Sequence, residues 1–180
     1  QEDIFSLFIL FISFISLIDP IILLTHIIDM KIVDDCFTNQ MVLEALREKA
    51  ADGIEILNVA EPWMKVPELK YASYTVVYKD SDEELLLSLE KLLKGNYIPA
   101  EKKGKKNKIT LLNLAEKIKS IETERLQGEL RVKVVLPGGN TETINPALFL
   151  QSFISAGNRK PEVVIINRDM LFNDRMEKFE

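Results

Sequence analysis

Hydrophobic and polar positions divide the chain into an apolar front and a body with ordinary periodicity. Residues 4–18 form an uncharged run rich in Ile, Phe and Leu, and a second run extends this character to Ile28. From Met30 onward the periods are those of amphipathic strands and helices. The pattern predicts a folded body from residue 30 and sets residues 1–29 apart as a membrane-like or non-native segment.

A strand, a helix and a strand follow one another in residues 30–61. The stretch MKIVDDC predicts a short strand, Asn39 is expected to cap a helix that ends at Gly53, and IEILNVAEP alternates as a second strand. The next segment, 62–70, contains two prolines and predicts a linker.

Residues 71–172 predict a complete α+β unit. An alternating strand is followed by a helix for which Ser81 and Glu84 form a capping-box pattern, then by two strands, a helix after an Asn-Pro pair and a final strand. Setting one inserted hairpin aside, the order is β-α-β-β-α-β, the ferredoxin-like or split β-α-β arrangement. The chain is thus predicted to hold a β-α-β half unit, a whole unit and a tail at 173–180.

The densest local charge lies in the predicted β-hairpin, which follows the first helix of the whole unit. Its apolar flanks are Tyr97-Ile98 and the run ITLL, and its tip contains Gly104 and Asn107. Contacts from lysine to phosphate give affinity that does not depend on base sequence, so the tip lysines are candidate RNA-binding residues. These candidates are Lys102, Lys103, Lys105, Lys106 and Lys108. A solvated tip without a ligand is the alternative, because a single nearby tyrosine gives little support for base stacking.

The overall charge and the small number of cysteine and histidine residues argue against several classes of protein and site. The formal net charge of −5 argues against a protein that coats nucleic acid with its whole surface. A single cysteine, Cys36, and a single histidine, His26, allow neither an internal disulfide nor a Cys/His metal site. We therefore expect a reducing, cytoplasmic setting, no cofactor or metal, and a buried Cys36.

Two other polar groups are interpreted as structural. The glycines of the Pro137–Asn140 stretch would permit an anion cradle, but no phosphate-binding motif surrounds them, so a plain connection is expected. Asp80 and Asp82 lie at a helix start, where the helix dipole stabilises carboxylates. With no catalytic constellation in the sequence, we do not expect activity from this chain on its own.

The apolar front leaves membrane attachment open as an alternative. A spanning helix needs about 20 predominantly apolar residues. Asp19 would cost roughly 2.5 to 3.5 kcal/mol at the bilayer centre, and Pro20 would break or kink the helix. The acidic residues Glu2 and Asp3 do not fit the start of a signal peptide. Membrane association through residues 4–28 therefore stands beside the cytoplasmic interpretation.

Successive blocks of the body resemble a bacterial family of radical-SAM-linked proteins, a domain of unknown function. The blocks are IEILNVAEP, YASYTVVY, IPAEKKGKKNKITLLNLAEKIKSIE, ELRVKVVLPGGNTETINPALFLQSF and VVIINRDMLF, from about Met30 to Phe172. In that family the domain occurs beside, or fused to, a radical SAM protein with a cobalamin-binding region. The resemblance implies a non-catalytic accessory role with a radical SAM protein as partner. The cluster motif CxxxCxxC of the radical SAM enzymes is absent from this chain.

The chain departs from this family at its front. The family usually opens with a Ser-His-Leu-Asp block and a later segment rich in Gly, Phe, Asn and Pro, and residues 1–29 contain neither. We interpret this departure as a truncated or altered N-terminus. The expected function is an accessory domain that contacts RNA through the hairpin lysines. The alternatives are a membrane-tethered scaffold or interaction protein, and a fragment of a nucleic-acid-modifying enzyme that lacks its catalytic part.

Overall fold

The expected α+β fold is confirmed by a computed structural model, which describes residues 7–14, 26–31, 36–52, 54–61, 64–103 and 109–178. Nine strands and three α-helices lie in these ranges. The strands are β1 (Leu7–Phe14), β2 (His26–Lys31), β3 (Ile54–Ala60), β4 (Tyr71–Lys79), β5 (Pro99–Lys103), β6 (Ile109–Asn113), β7 (Ser120–Leu126), β8 (Glu129–Pro137) and β9 (Val163–Phe172). The helices are α1 (Asn39–Lys49), α2 (Glu83–Leu93) and α3 (Ala147–Ser155).

The main hydrophobic core lies on one face of a four-stranded sheet with the order β7-β8-β4-β9, in which all neighbours are antiparallel. Strand β4 alternates strictly, because its second, fourth, sixth and eighth residues are buried. These side chains share one cluster with buried residues of α2 and α3. Apart from the β5–β6 hairpin, the elements from β4 to β9 follow one another as β-α-β-β-α-β.

A smaller unit contains the first three strands. Their spatial order is β2-β1-β3, and β1 is antiparallel to both neighbours, so β2 and β3 run parallel to each other. Helix α1 places Val42 against Ile56 and Val59 of β3 in a separate small core. Strand β1 comes from the first apolar run and is the central strand of this sheet. No helix in the described ranges is long and apolar enough to cross a membrane.

Two helices begin with caps other than those predicted from the sequence. Thr38, not Asn39, caps α1, and its Oγ1 accepts a hydrogen bond from the Met41 amide at 3.3 Å. Asp82, not Ser81, caps α2, because its carboxylate accepts from two amides of the first turn at 3.0 and 3.2 Å. An ionised oxygen is the stronger acceptor at a helix N-terminus.

The stretch predicted as a linker contributes to the main core through Met64 and Leu69, both of which are buried. The Lys70 amide donates to the Phe172 carbonyl at 2.9 Å, and the Gly138 amide donates to the Lys70 carbonyl at 2.9 Å. A Cβ atom at Gly139 would collide with the Leu69 carbonyl, so this close approach requires glycine. These hydrogen bonds hold residues 64–70 against the end of the four-stranded sheet, which is called the main sheet below.

Candidate functional site

The predicted hairpin forms the antiparallel pair β5–β6, and one side chain fastens its base. Asn113 Oδ1 accepts from the Ile98 amide at 2.8 Å and from the Ala115 amide at 3.2 Å. Its Nδ2 donates to the Asn96 carbonyl at 3.2 Å and to Glu116 at 3.1 Å. This asparagine therefore joins the chain before β5 to the short 3₁₀-helix after β6 (Leu114–Lys117), whose first turn it caps.

An open groove of about 820 Å³ lies between this hairpin and α3. Glu101 and Lys102 line it from β5, Leu111 lines it from β6, and Gln151 and Ile154 line it from α3. Ser152 Oγ donates to the Pro99 carbonyl, and both residues line the groove, so β5 and α3 are joined directly. The groove is large enough for a small molecule or a short chain segment.

Large apolar side chains are exposed around the groove. Leu111 is 77% exposed and Tyr97 is 69% exposed, while Ile154 on the α3 side is 41% exposed. Ile109 at the start of β6 is also exposed. A second hollow of about 210 Å³ contains Tyr97 and Leu111 and shares residues with the groove. Tyr97, Leu111 and Ile154, which line these two hollows, together are called the apolar rim below.

The structure describes only part of the lysine cluster predicted to contact RNA. Lys102 lies on β5, and its Nζ donates to the Thr143 carbonyl at 2.8 Å, which joins the hairpin to the segment before α3. Lys103 is the last residue of β5. Lys105, Lys106 and Lys108 lie outside the described residues. Contact with RNA through these side chains therefore stays a prediction.

A charged network lies at one end of the four-stranded sheet, and it pairs Asp80 with Arg159 where the sequence had suggested only the dipole of a helix start. Asp80 follows β4 and is buried, and Arg159 Nη1 and Nη2 donate to its two carboxylate oxygens at 2.6 Å each. The amides of Asp82 and Glu162 donate to the same carboxylate at 2.8 and 3.1 Å. The Asp80 amide donates to the Gly128 carbonyl at 3.1 Å. The loops β4–α2, β7–β8 and α3–β9 are thereby held together.

These contacts determine the ionisation of the network. The hydrogen bonds from Arg159 lower the pKa of Asp80 well below its usual range, and Asp80 in turn raises the pKa of Arg159. Every carboxylate oxygen of Asp80 has a donor within the chain, so we assign this pair a structural role. Arg159 is far from Asp80 in sequence, so no pattern of neighbouring residues could predict the pair.

The other candidate chemistries are occupied by structural contacts or are not assembled. The amides of Gly138 and Gly139 donate to carbonyls of Lys70 and Glu142, so they form a chain connection rather than an anion cradle. Among the residues that the structure describes, no group of three His, Cys, Asp or Glu side chains is placed to hold a metal ion. The prediction that Cys36 is buried is wrong, because the residue is exposed just before α1.

Comparison with known proteins places the chain in a family. It belongs to the family described as an uncharacterized protein conserved in bacteria (DUF2344), whose model matches residues 24–146. The match includes β2 to β8 and the whole hairpin, and it ends just before α3. No curated protein and no solved structure matches the chain.

Proposed function

We propose that this member of the family is a non-catalytic accessory domain whose docking surface is the groove with its apolar rim. The observation that carries the proposal is the exposure of Leu111 and Ile154 in one groove, next to a smaller hollow that Tyr97 and Leu111 line. Contiguous exposed apolar surface on a folded domain is typical of an interaction site. Covering it would remove apolar area from water, with a gain of roughly 25 cal/mol per Å².

The partner in this proposal is a radical SAM protein. The block pattern between about Met30 and Phe172 supports that choice, since the domain of the family that these blocks resemble occurs beside, or fused to, such proteins. The proposed complex is cytoplasmic, and the single cysteine supports this, since a chain without an internal disulfide is typical of a reducing compartment.

The docking proposal can be tested by co-purification. The tagged full chain and a double variant, Leu111→Ser with Ile154→Ser, would be expressed in a bacterium that carries the gene, and retained proteins identified by mass spectrometry. We expect a radical SAM protein with the natural chain and at least a tenfold loss of it with the double variant. Leu126→Ser is the matched control, because Leu126 is an exposed leucine on β7 that does not line the groove.

Either of two results would contradict the docking proposal. One is equal retention of the radical SAM protein by all three chains, and the other is its absence from the natural chain's eluate.

Contact with RNA is a second candidate function, and the hairpin charge supports it. Five lysines lie within residues 102–108, in a chain whose net charge is −5. Changing all five lysines to Gln should weaken binding of a single-stranded RNA and flatten its dependence on salt, because fewer counterions are released. Titrations at several salt concentrations would measure both, and an unchanged slope would rule out a role for these lysines.

A further inference from the structure

The outer edge of β5 faces the groove and has the hydrogen-bonding pattern of an incomplete sheet. We propose that this edge accepts an extended, acidic polypeptide segment as an added strand that lies between β5 and α3. The proposal rests on the accessory function above and names the kind of partner segment that the docking surface takes.

The phase of the β5–β6 ladder decides which backbone groups point outward. The Leu114 amide donates to the Ile98 carbonyl at 2.8 Å, and Ala100 is opposite Leu112 in the same register. Hydrogen-bonded and non-hydrogen-bonded pairs alternate in an antiparallel ladder. The N–H and C=O of Ala100 and Lys102 therefore face β6, whereas those of Glu101 face away from it.

Contacts on the outer side of β5 agree with this phase. The Pro99 carbonyl also points outward, and it accepts its hydrogen bond from Ser152 of α3. The Glu101 N–H and C=O come next along the same edge, and Glu101 lines the groove. Among the described residues neither group has a partner. An unpaired strand edge is a ready template for another strand.

The walls of the groove suit alternate side chains of an added strand. Ile154 and Leu111 offer apolar surface, while Gln151 and Ser155 of α3 offer hydrogen-bonding groups. A strand added to a sheet edge obtains affinity from its main-chain hydrogen bonds and specificity from pockets for every second side chain. An exposed apolar rim and an unpaired backbone edge match a polypeptide better than a nucleic acid. A polypeptide strand has N–H and C=O groups that can pair with the edge, whereas the sugar-phosphate backbone has no such groups.

Charge selects the kind of polypeptide. Glu101 and Lys102 both lie on the groove wall, and the sequence has four more lysines within the six residues after Lys102, so the stretch 101–108 has a net positive charge. Opposite charges on two surfaces steer association and favour the matching partner. We therefore expect Asp and Glu to flank the apolar positions of the bound segment.

Peptides selected by phage display provide the probe for this proposal. A library of linear peptides of about twelve residues would be selected on the full chain, with the Leu111→Ser and Ile154→Ser double variant as the counter-target. We expect acidic peptides with alternating apolar residues, whose affinity falls at least tenfold for the double variant and is unchanged for Leu126→Ser. A selection that yields no peptide able to distinguish the natural chain from the double variant would overturn the proposal.

A single backbone change tests the strand mode itself. Glu101→Pro removes the outward N–H, and it leaves the β5–β6 ladder intact because that N–H is not part of it. Proline is tolerated on edge strands. We expect the selected peptide to bind about fivefold or more weakly, which corresponds to the loss of one hydrogen bond. Glu101→Gln keeps the N–H and is the matched control, and circular dichroism with thermal unfolding would show that both variants fold.

Amide hydrogen exchange supplies an independent readout. In the free chain the Glu101 amide should exchange rapidly, whereas the Ala100 amide, which faces β6, should be protected. Adding the peptide should slow exchange at Glu101 at least tenfold and change Ala100 little. Rapid exchange at Glu101 in the saturated complex would overturn the strand mode.

These outcomes separate this proposal from the proposed function. If the radical SAM protein is lost from the double variant while Glu101→Pro and exchange at Glu101 show no effect, the docking surface stands and the added strand is wrong. If the groove variants leave peptide binding unchanged and single-stranded RNA protects Leu111 and Ile154, nucleic acid is the ligand instead.

Discussion

Two regions of the unit from β4 to β9 differ in whether their polar and apolar groups have partners within the chain. At the Asp80 end of the sheet, a buried carboxylate has donors on both oxygens and joins three loops. At the hairpin, large apolar side chains are exposed and the Glu101 backbone groups point into a groove. Satisfied polar groups at the first region indicate a role in folding, whereas the exposed apolar side chains and unpaired backbone groups at the second are the basis of the proposed role in binding.

The largest expected effect compares the two faces of α3. Phe149→Ala removes a ring that is buried in the main core, and it should lower the free energy of unfolding by about 3 to 5 kcal/mol. Ile154→Ala on the groove side of the same helix should change it by less than about 0.5 kcal/mol. Urea unfolding of both variants measures the difference, and similar losses would mean that Ile154 belongs to the core.

The next effect concerns the charged network. Asp80→Asn keeps the shape of the side chain but removes the charge that pairs with Arg159. We expect a clearly lower urea midpoint, smaller in effect than Phe149→Ala, since the pair holds three loops rather than the core itself. Asp174→Asn, at an exposed aspartate near the C-terminus, is the control and should leave the midpoint unchanged. An unchanged midpoint for Asp80→Asn would show that the network does not stabilise the fold.

The pH dependence of stability should have opposite signs at two aspartates. The hydrogen bonds from Arg159 lower the folded pKa of Asp80, so its stabilisation is present above the unfolded pKa of about 3.9 and is lost as the pH falls through the folded value. Partial desolvation raises the folded pKa of Asp169, although the residue is exposed and Thr75 donates to it, so its ionisation slightly opposes folding as the pH rises.

Unfolding between pH 3 and pH 7 would measure these two signs. Asp80→Asn should flatten the loss of stability in acid. Asp169→Asn, which keeps an acceptor for Thr75, should raise stability at pH 7 only slightly relative to the natural chain, because the exposed carboxylate is screened by solvent. Part of the acid slope should survive in Asp80→Asn, because Glu90 and Glu129 also have lowered pKa values. Equal slopes in all three proteins would contradict the assignment.

The smallest expected effect concerns the anchoring of the hairpin. Lys102→Met removes the hydrogen bond to the Thr143 carbonyl and should lower the free energy of unfolding by no more than about 1 kcal/mol. Faster amide exchange confined to β5 and β6 would show that this bond fastens the hairpin. Exchange that is unchanged there would mean that Asn113 and Ser152 suffice to hold it.

Local periods in the sequence predicted most of the main unit. Strict alternation in β4 identified its buried face, because side chains of a strand point alternately to its two sides. The hairpin was predicted from its apolar flanks and lysine-rich tip, although β5 begins at Pro99, after the predicted Tyr97-Ile98 flank. The caps of α1 and α2 were each predicted one residue away from the true cap. At α2, Ser81 and Asp82 both have acceptor side chains, and only the backbone geometry distinguishes them.

By itself, the sequence determined the α+β class, the alternation of the strands and the presence of a charged hairpin, because each depends on neighbours within a few residues. Tertiary structure alone decided three features: the central place of β1 in its sheet, the pairing of Asp80 with Arg159, and the groove between β5 and α3. Each of these joins segments that are distant along the chain. Their contacts depend on how the sheets and helices assemble, and the spacing of hydrophobic residues within one element does not predict that assembly.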